Sequence, residues 1–434
     1  MRAAAGAPGK PKDYTGDVCI VSARISGLYV AMMLKHLRIR NIDILEASDR
    51  AGGRCYAHSF PGDPDCKHNY HDVGATGIPD IPTMKSTLKL VEILKMEDKK
   101  QKYVYDLGYG LPHMYQYKHN FKPEYLEASG RRTQYSIKTS GEKFENAIKD
   151  IVEKLSGDFE TEFARLMDGD DDNCSTRSCL MVKKKWANAQ LLCAPGDRQE
   201  TALRLNYDET SLEKTPMPFF ESLCDFGEFQ AAKGKDWCRI DQGMDTVPRA
   251  MQEYLSSGIE PFGDGSPIID VTSTDQHGKP APAKNYDMVS NTTATAPLQR
   301  MDLSKLGLPG HILMGIRALN YDRASKVAFK FLRDQYTGGA FALFGPGQFK
   351  HLYPEFQQVF CDNKFTMCGD ALSAHHAWTS GALDSAYAAV YSWLVAIGRP
   401  GKNKNVGEAD KRLVRWAVKL GGAKEPKHRP GSPW

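Results

Sequence analysis

The stretch DVCIVSARISGLYVAMMLKHL, residues 17–37, decides the fold. Asp17 to Val21 form a short, mostly apolar run that reads as a buried strand. Leu28, Met32, Met33 and Leu37 then recur at helical spacing, and Ile42 to Glu46 (IDILE) read as a second buried strand that ends on an acid. A strand, a turn, a helix and a strand within about thirty residues form the unit from which a dinucleotide-binding α/β sheet is built. Glu46, nineteen residues past Gly27, stands where such a sheet places the carboxylate that accepts from ribose hydroxyls. The turn itself departs from Gly-x-Gly-x-x-Gly: Ser22 and Arg24 hold the first two glycine positions, and Gly27 alone keeps its place.

Outside this unit the composition narrows the field. At 434 residues the chain has room for two or three domains, and its 41% hydrophobic and 25% charged residues are ordinary for a globular protein. The 57 basic residues nearly balance the 53 acidic ones. The basic runs at 99–102 and 183–185 are short and without interleaved aromatics, which argues against nucleic acid as a partner. Ten cysteines lack regular spacing, and the pair Cys174 and Cys179 has no second pair to complete a zinc site. The acidic run DGDDDNCS (168–175) lacks the glycine and bidentate glutamate of a calcium loop, so no metal is expected. The opening MRAAAGAPGKPKDYTG has no apolar signal core, and no run reaches about 18 apolar residues; the expected location is cytoplasmic, with no membrane partner.

Further along, residues 83–97 and 143–167 read as amphipathic helices with charged outer faces, as in an inserted helical domain. Pro267–Val271 and Tyr286–Ser290, separated by a polar turn, read as neighbours in a β-meander. Residues 364–398 give a strand, a turn at Gly369-Asp370 and a long helix, and a basic tail follows.

Four motifs extend the first one. In EASDRAGGRCY (46–56), paired glycines between two arginines suit a backbone that approaches a diphosphate, with Arg54 adding charge-assisted bonds. HDVGATGIP (71–79), GMDTVPRAM (243–251) and CGDALSAHHAWTSGALDSAYAAV (368–390) complete the set. Together they resemble the flavin-containing amine oxidases over residues 17 to about 397, and within them the fungal L-amino acid oxidase-like proteins; the last motif is the most specific.

The resemblance implies an FAD-binding, Rossmann-like α/β domain with a mixed substrate domain and a helical insertion. The flavin domain would comprise 17–82, 236–300 and 346–397; the substrate side would comprise the helical insertion 83–235 and a truncated segment 301–345, with a basic tail at 398–434. FAD would be held by Gly27, Glu46, Ala47, Gly53, Arg54, Gly74, Ala75, Gly369, Asp370 and Ala382. Trp378 would wall the substrate site, and Lys326 would hold a water at the flavin N5. The implied reaction is hydride transfer from the Cα–H of an amine or L-amino acid to flavin, imine hydrolysis and release of hydrogen peroxide. The implied partner is that small-molecule substrate, and a homodimer is compatible with it.

Four departures qualify the expectation. Ser22 needs a positive φ that costs about 1–2 kcal/mol. Arg24 sets a Cβ and a long chain where a phosphate should lie. Gly77 stands where these oxidases carry the arginine that clamps a substrate carboxylate, and Thr76 beside it replaces an apolar residue. The chain is shortened around 333–338, and Gln242 replaces a glycine before Gly243. An oxidase and a repurposed or pseudoenzyme relative without redox chemistry both remain open at this stage.

Overall fold

The structure is a computed structural model, and it describes residues 16–61, 69–103, 115–117, 119–121, 231–257 without 233, 269–273 (backbone), 286–318, 365–373 and 378–398, with helical positions scattered between 146 and 166. In chain order the elements are β1 (Val18–Val21), α1 (Ile25–His36), β2 (Ile42–Glu46), β3 (Ala57–Ser59), β4 (Tyr70–Asp72), β5 (Ile78–Pro79), α2 (Lys85–Ile93), β6 (Lys100–Lys102), β7 (Tyr115–Tyr117) and β8 (His119–Phe121). There follow β9 (Trp237–Ile240), α3 (Thr246–Ser256), β10 (Ile269–Ser273), β11 (Met288–Asn291), α4 (Thr295–Leu298), α5 (Gly310–Ala318), β12 (Phe365–Met367) and α6 (Thr379–Gly398).

Five strands form one sheet in the order β10-β2-β1-β11-β12, and every neighbouring pair is parallel. The expected strand–turn–helix–strand unit lies at its centre. Val18 and Ile20 of β1 and Ile42 and Ile44 of β2 are buried, as the apolar run required. Helix α1 is buried on every face from Ile25 to Lys35, beyond the single stripe its spacing predicts, because α6 and α3 both pack against it. This is a parallel sheet packed by helices, an α/β fold.

One expectation is corrected. β10 and β11 are not meander neighbours: β10 pairs with β2, β11 pairs with β1, and those two strands lie between them. A strand that is to join a parallel sheet needs a crossover rather than a tight turn. Short apolar runs carry no signal of which neighbour they will take.

Smaller sheets join β3 to β4 and β5 to β9 to β6. The chain divides into two compact units, one of Met1–Lys102, Cys238–Leu319 and His351–Trp434, the other of Tyr103–Trp237 and Asn320–Lys350. The first holds the five-stranded sheet. In the second, β7 and β8 pair antiparallel, and Ile148, Leu155 and Leu166 are buried. Among the described residues no helix is long and apolar enough to cross a membrane, and no cluster of metal-ligating side chains occurs.

Candidate functional site

In an open parallel sheet the ligand crevice lies beyond the carboxyl ends of the strands, where the strand order reverses. Here the order reverses at β1, and the register sets the carboxyl ends of β1, β2 and β11 side by side. The segments that leave this edge are Ser22–Arg24 after β1, Glu46–Arg54 from β2, Thr292 after β11 and Cys368–Asp370 after β12. Sequence reasoning had marked three of those four.

Glu46 organises the edge. Its Oε2 accepts from the Ala23 N–H at 2.7 Å and the Ser22 hydroxyl at 3.2 Å; its Oε1 accepts from the Ser48 N–H at 3.0 Å and lies 2.9 Å from the Ser48 hydroxyl. Partial burial works to raise the carboxyl pKa, but the bonds from Ser48, Ala23 and Ser22 outweigh it and hold the group below its ordinary value. The carboxylate is ionised at neutral pH, and it is already well supplied with donors.

The turn above it carries the expected strain: Ser22 has φ 86°. Thr292 pins it from the other side, its hydroxyl 2.9 Å from the Ser22 carbonyl and 3.0 Å from that of Val21. Gly27 packs into this junction: a Cβ there would fall 2.1 Å from the Ser22 carbonyl oxygen and 2.7 Å from the Thr292 hydroxyl. Its role in the fold is close approach of helix to strand. Arg24 is the N-cap of α1 with extended φ and ψ, and its stem runs along Gly53, whose missing Cβ would sit 2.6 Å from Arg24 Cγ. The paired glycines, with φ 101° at Gly52 and 56° at Gly53, thus serve loop packing: Gly52 N–H donates to the Ala23 carbonyl at 2.9 Å.

Arg54 and Asp370, each marked separately as a flavin contact, form an ion pair with one another through Nη2 and Oδ1. Asp370 is the less exposed partner, and the Gly369 N–H before it donates to the Ser385 hydroxyl of α6 at 3.1 Å. Gly369 has φ 148°, and no atom of the described residues comes within 4 Å of where a Cβ would be. Gly74 and Ala75 run against the backbone of Arg54, whose carbonyl accepts from the Ala75 N–H at 3.3 Å. Ala47 is exposed at the end of β2. Ala382 is buried in α6, its N–H donating to the Trp378 carbonyl at 3.4 Å, and Trp378 is half-buried. Lys326 lies outside the described residues. The Cys55 thiol beside this group is pushed up to about 12 by burial, a hydrogen bond with Thr379 offsetting only part of the effect, so it is no nucleophile.

Two structural residues were missed. Asp72 is buried, and its Oδ1 accepts the Met244 N–H at 2.7 Å, which holds the turn at Gln242 (φ 65°) and Gly243. The sequence signal was an acid inside the otherwise small and apolar HDVGATGIP. Lys35 is 2% exposed, and its Nζ donates to the carbonyls of Tyr254 and Ser257, each at 2.9 Å. A buried cation needs such acceptors, and the carboxyl end of α3 supplies them with its dipole. Nothing in the helical spacing of α1 distinguishes Lys35 from a solvated lysine.

The chain is 25% identical to a putative bifunctional amine oxidase of Dictyostelium discoideum, over 87% of this chain and 46% of that protein. It is 24% identical to L-amino-acid oxidase 4 of Hebeloma cylindrosporum, over 94% of this chain and 86% of that one. The latter alignment runs to 555 positions against 434 residues here, so the relative carries segments that this chain lacks. The chain thus spans about half the length of the first relative and most of the second. Structures of a putrescine oxidase with redesigned cofactor binding overlay with TM-scores of 0.45 and 0.47 at 16% identity, over 71–72% of this chain and 64–65% of theirs. The profile of the flavin-containing amine oxidoreductases matches residues 25–331, most of the sequence. The chain belongs to that family.

Proposed function

We propose that the chain is an FAD-dependent oxidase of an amine or L-amino acid, with the dinucleotide lying along the carboxyl edge of the five-stranded sheet. The observation that carries this reading is the joining of two distant stretches of sequence, 46–54 and 368–370, by the Arg54–Asp370 ion pair beside the edge where the strand order reverses. The residues present fit the group. Glu46 is an ionised acceptor at ribose position, Arg54 is an exposed guanidinium on a glycine-bearing loop, and Gly369 leaves open space over its Cα.

When bound, the flavin supplies the hydride acceptor for the Cα–H of the substrate. The chain supplies position and charge. Glu46 takes the ribose, with Ala47 exposed beside it, and Arg54 takes the diphosphate. Asp370, ion-paired with Arg54, accepts from the ribityl chain. Gly27, Gly53, Gly74, Ala75, Gly369 and Ala382 set the backbone and α6 close enough for this. Trp378 walls the substrate side, and Lys326 holds a water near the reacting face. Stretches 17–82, 236–300 and 346–397 carry the cofactor on this reading, and 83–235 with 301–345 carry the substrate. Gly77 offers no cation for a carboxylate, so the favoured substrate is an amine without one.

The test is peroxide release by FAD-loaded protein over a panel of primary amines, diamines and L-amino acids. Turnover of a neutral-tailed amine ahead of its α-carboxylated counterpart supports the proposal. Retained flavin with no peroxide from any member supports the second reading, a relative that keeps the fold without redox chemistry, for which the absent clamp at Gly77 speaks.

A further inference from the structure

The geometry points to Ser22 as a residue that sets the affinity for the nucleotide ribose, by competing for the carboxylate that the ribose needs. This rests on the reading that Glu46 faces the ribose of a dinucleotide. A carboxylate offers about four acceptor positions. On Oε2 both are taken, by the Ala23 N–H at 2.7 Å and the Ser22 hydroxyl at 3.2 Å. On Oε1 one is taken by the Ser48 N–H at 3.0 Å. The remaining position is contested, because the single Ser48 hydroxyl proton has two acceptors, Glu46 Oε1 at 2.9 Å and the Arg50 carbonyl at 2.7 Å.

Ser48 can therefore turn to Arg50 and free one position without leaving any group unpaired. Among the described residues the Ser22 hydroxyl has no such alternative acceptor, and the residue is buried with 7% exposure. A glycine at position 22 would bring no hydroxyl and would open one position on Oε2, beside the one that Ser48 can release on Oε1. The serine therefore does two things. It anchors its own left-handed backbone to Glu46, and it makes a ribose diol pay for one of its two hydrogen bonds by displacing an internal one.

The experiment uses the full chain freed of bound nucleotide, with Ser22→Ala and Ser22→Gly variants, titrated calorimetrically with FAD, ADP and 2′,3′-dideoxy-ADP. The alanine keeps the backbone strain and removes the hydroxyl; the glycine removes both. Both variants are expected to bind FAD and ADP about tenfold more tightly, the equivalent of one charge-assisted hydrogen bond, and to bind the dideoxy nucleotide with unchanged affinity. Unchanged ADP affinity in Ser22→Ala, or an equal gain for dideoxy-ADP, overturns the proposal while leaving the flavin reading in place. A gain in Ser22→Gly alone assigns the effect to strain and also overturns it. Failure of the wild-type chain and both variants to bind FAD or ADP removes the flavin reading and the proposal together.

Discussion

Two turns in this chain hold a side chain where the resemblance calls for glycine, and they solve the problem differently. Ser22 (φ 86°) and Gln242 (φ 65°) both adopt left-handed backbone. In each case a carboxylate fixes a nearby amide: Glu46 takes the N–H of Ala23, one residue past Ser22, and Asp72 takes the N–H of Met244, two residues past Gln242. The Ser22 side chain is buried and shares that carboxylate, whereas the Gln242 side chain is exposed. Asp72 is wholly interior and acts on the fold alone. Glu46 is half-buried at the crevice edge and has acceptor capacity that a ligand can use. A lost glycine is thus tolerable where a carboxylate holds the turn, and it bears on binding only where that carboxylate also faces the ligand.

The comparison breaks most severely at Gly27→Ala. The new Cβ would meet the Ser22 carbonyl oxygen at 2.1 Å, a backbone atom that cannot step aside without opening the turn. Denaturant unfolding should show a loss of about 3 kcal/mol or more. Asp72→Ala comes next. It leaves the Met244 N–H unpaired in the interior, so the same measurement should show about 1–3 kcal/mol lost, with β4 and the start of α3 exchanging amide protons faster.

Glu46→Gln sharpens the contrast through pH. The folded pKa of Glu46 is depressed below its ordinary value of 4.5, so its ionised form stabilises the fold fully above that value. The contribution is lost as pH falls below 4.5 through the folded pKa. The glutamine variant should be less stable than wild type near pH 6, and the gap should close on acidification. A gap that is constant with pH would mean the network does not depend on the charge. Gln242→Gly has the smallest effect: it relieves the left-handed strain and removes an exposed side chain, and about 0.5–1 kcal/mol should be gained in thermal unfolding, with nucleotide affinity unchanged.

The central unit of the fold was legible because the apolar runs of β1 and β2, with Val18, Ile20, Ile42 and Ile44 buried, have few alternatives. The place of Glu46 was legible for the same reason, since a fixed strand–helix–strand length carries it to the carboxyl end of β2. The neighbours of β10 and β11 were not, because strand pairing in a parallel sheet is decided by crossovers and not by the runs themselves. Asp72 and Lys35 escaped because their meaning lies in backbone groups 172 and 219 or more residues away, which no local pattern reports. Arg24 was read as an obstacle standing in the phosphate position; the fold lays its stem along Gly53, a contact that requires two distant turns to meet.

The most direct test is the visible absorption spectrum of the purified chain after incubation with excess FAD and gel filtration, for wild type and for the Ser22→Gly/Arg24→Gly double variant. A flavin spectrum that stays with wild-type protein, with higher occupancy in the double variant, is the predicted result. Colourless protein in both cases would contradict the assignment of the strand-end crevice as a flavin site.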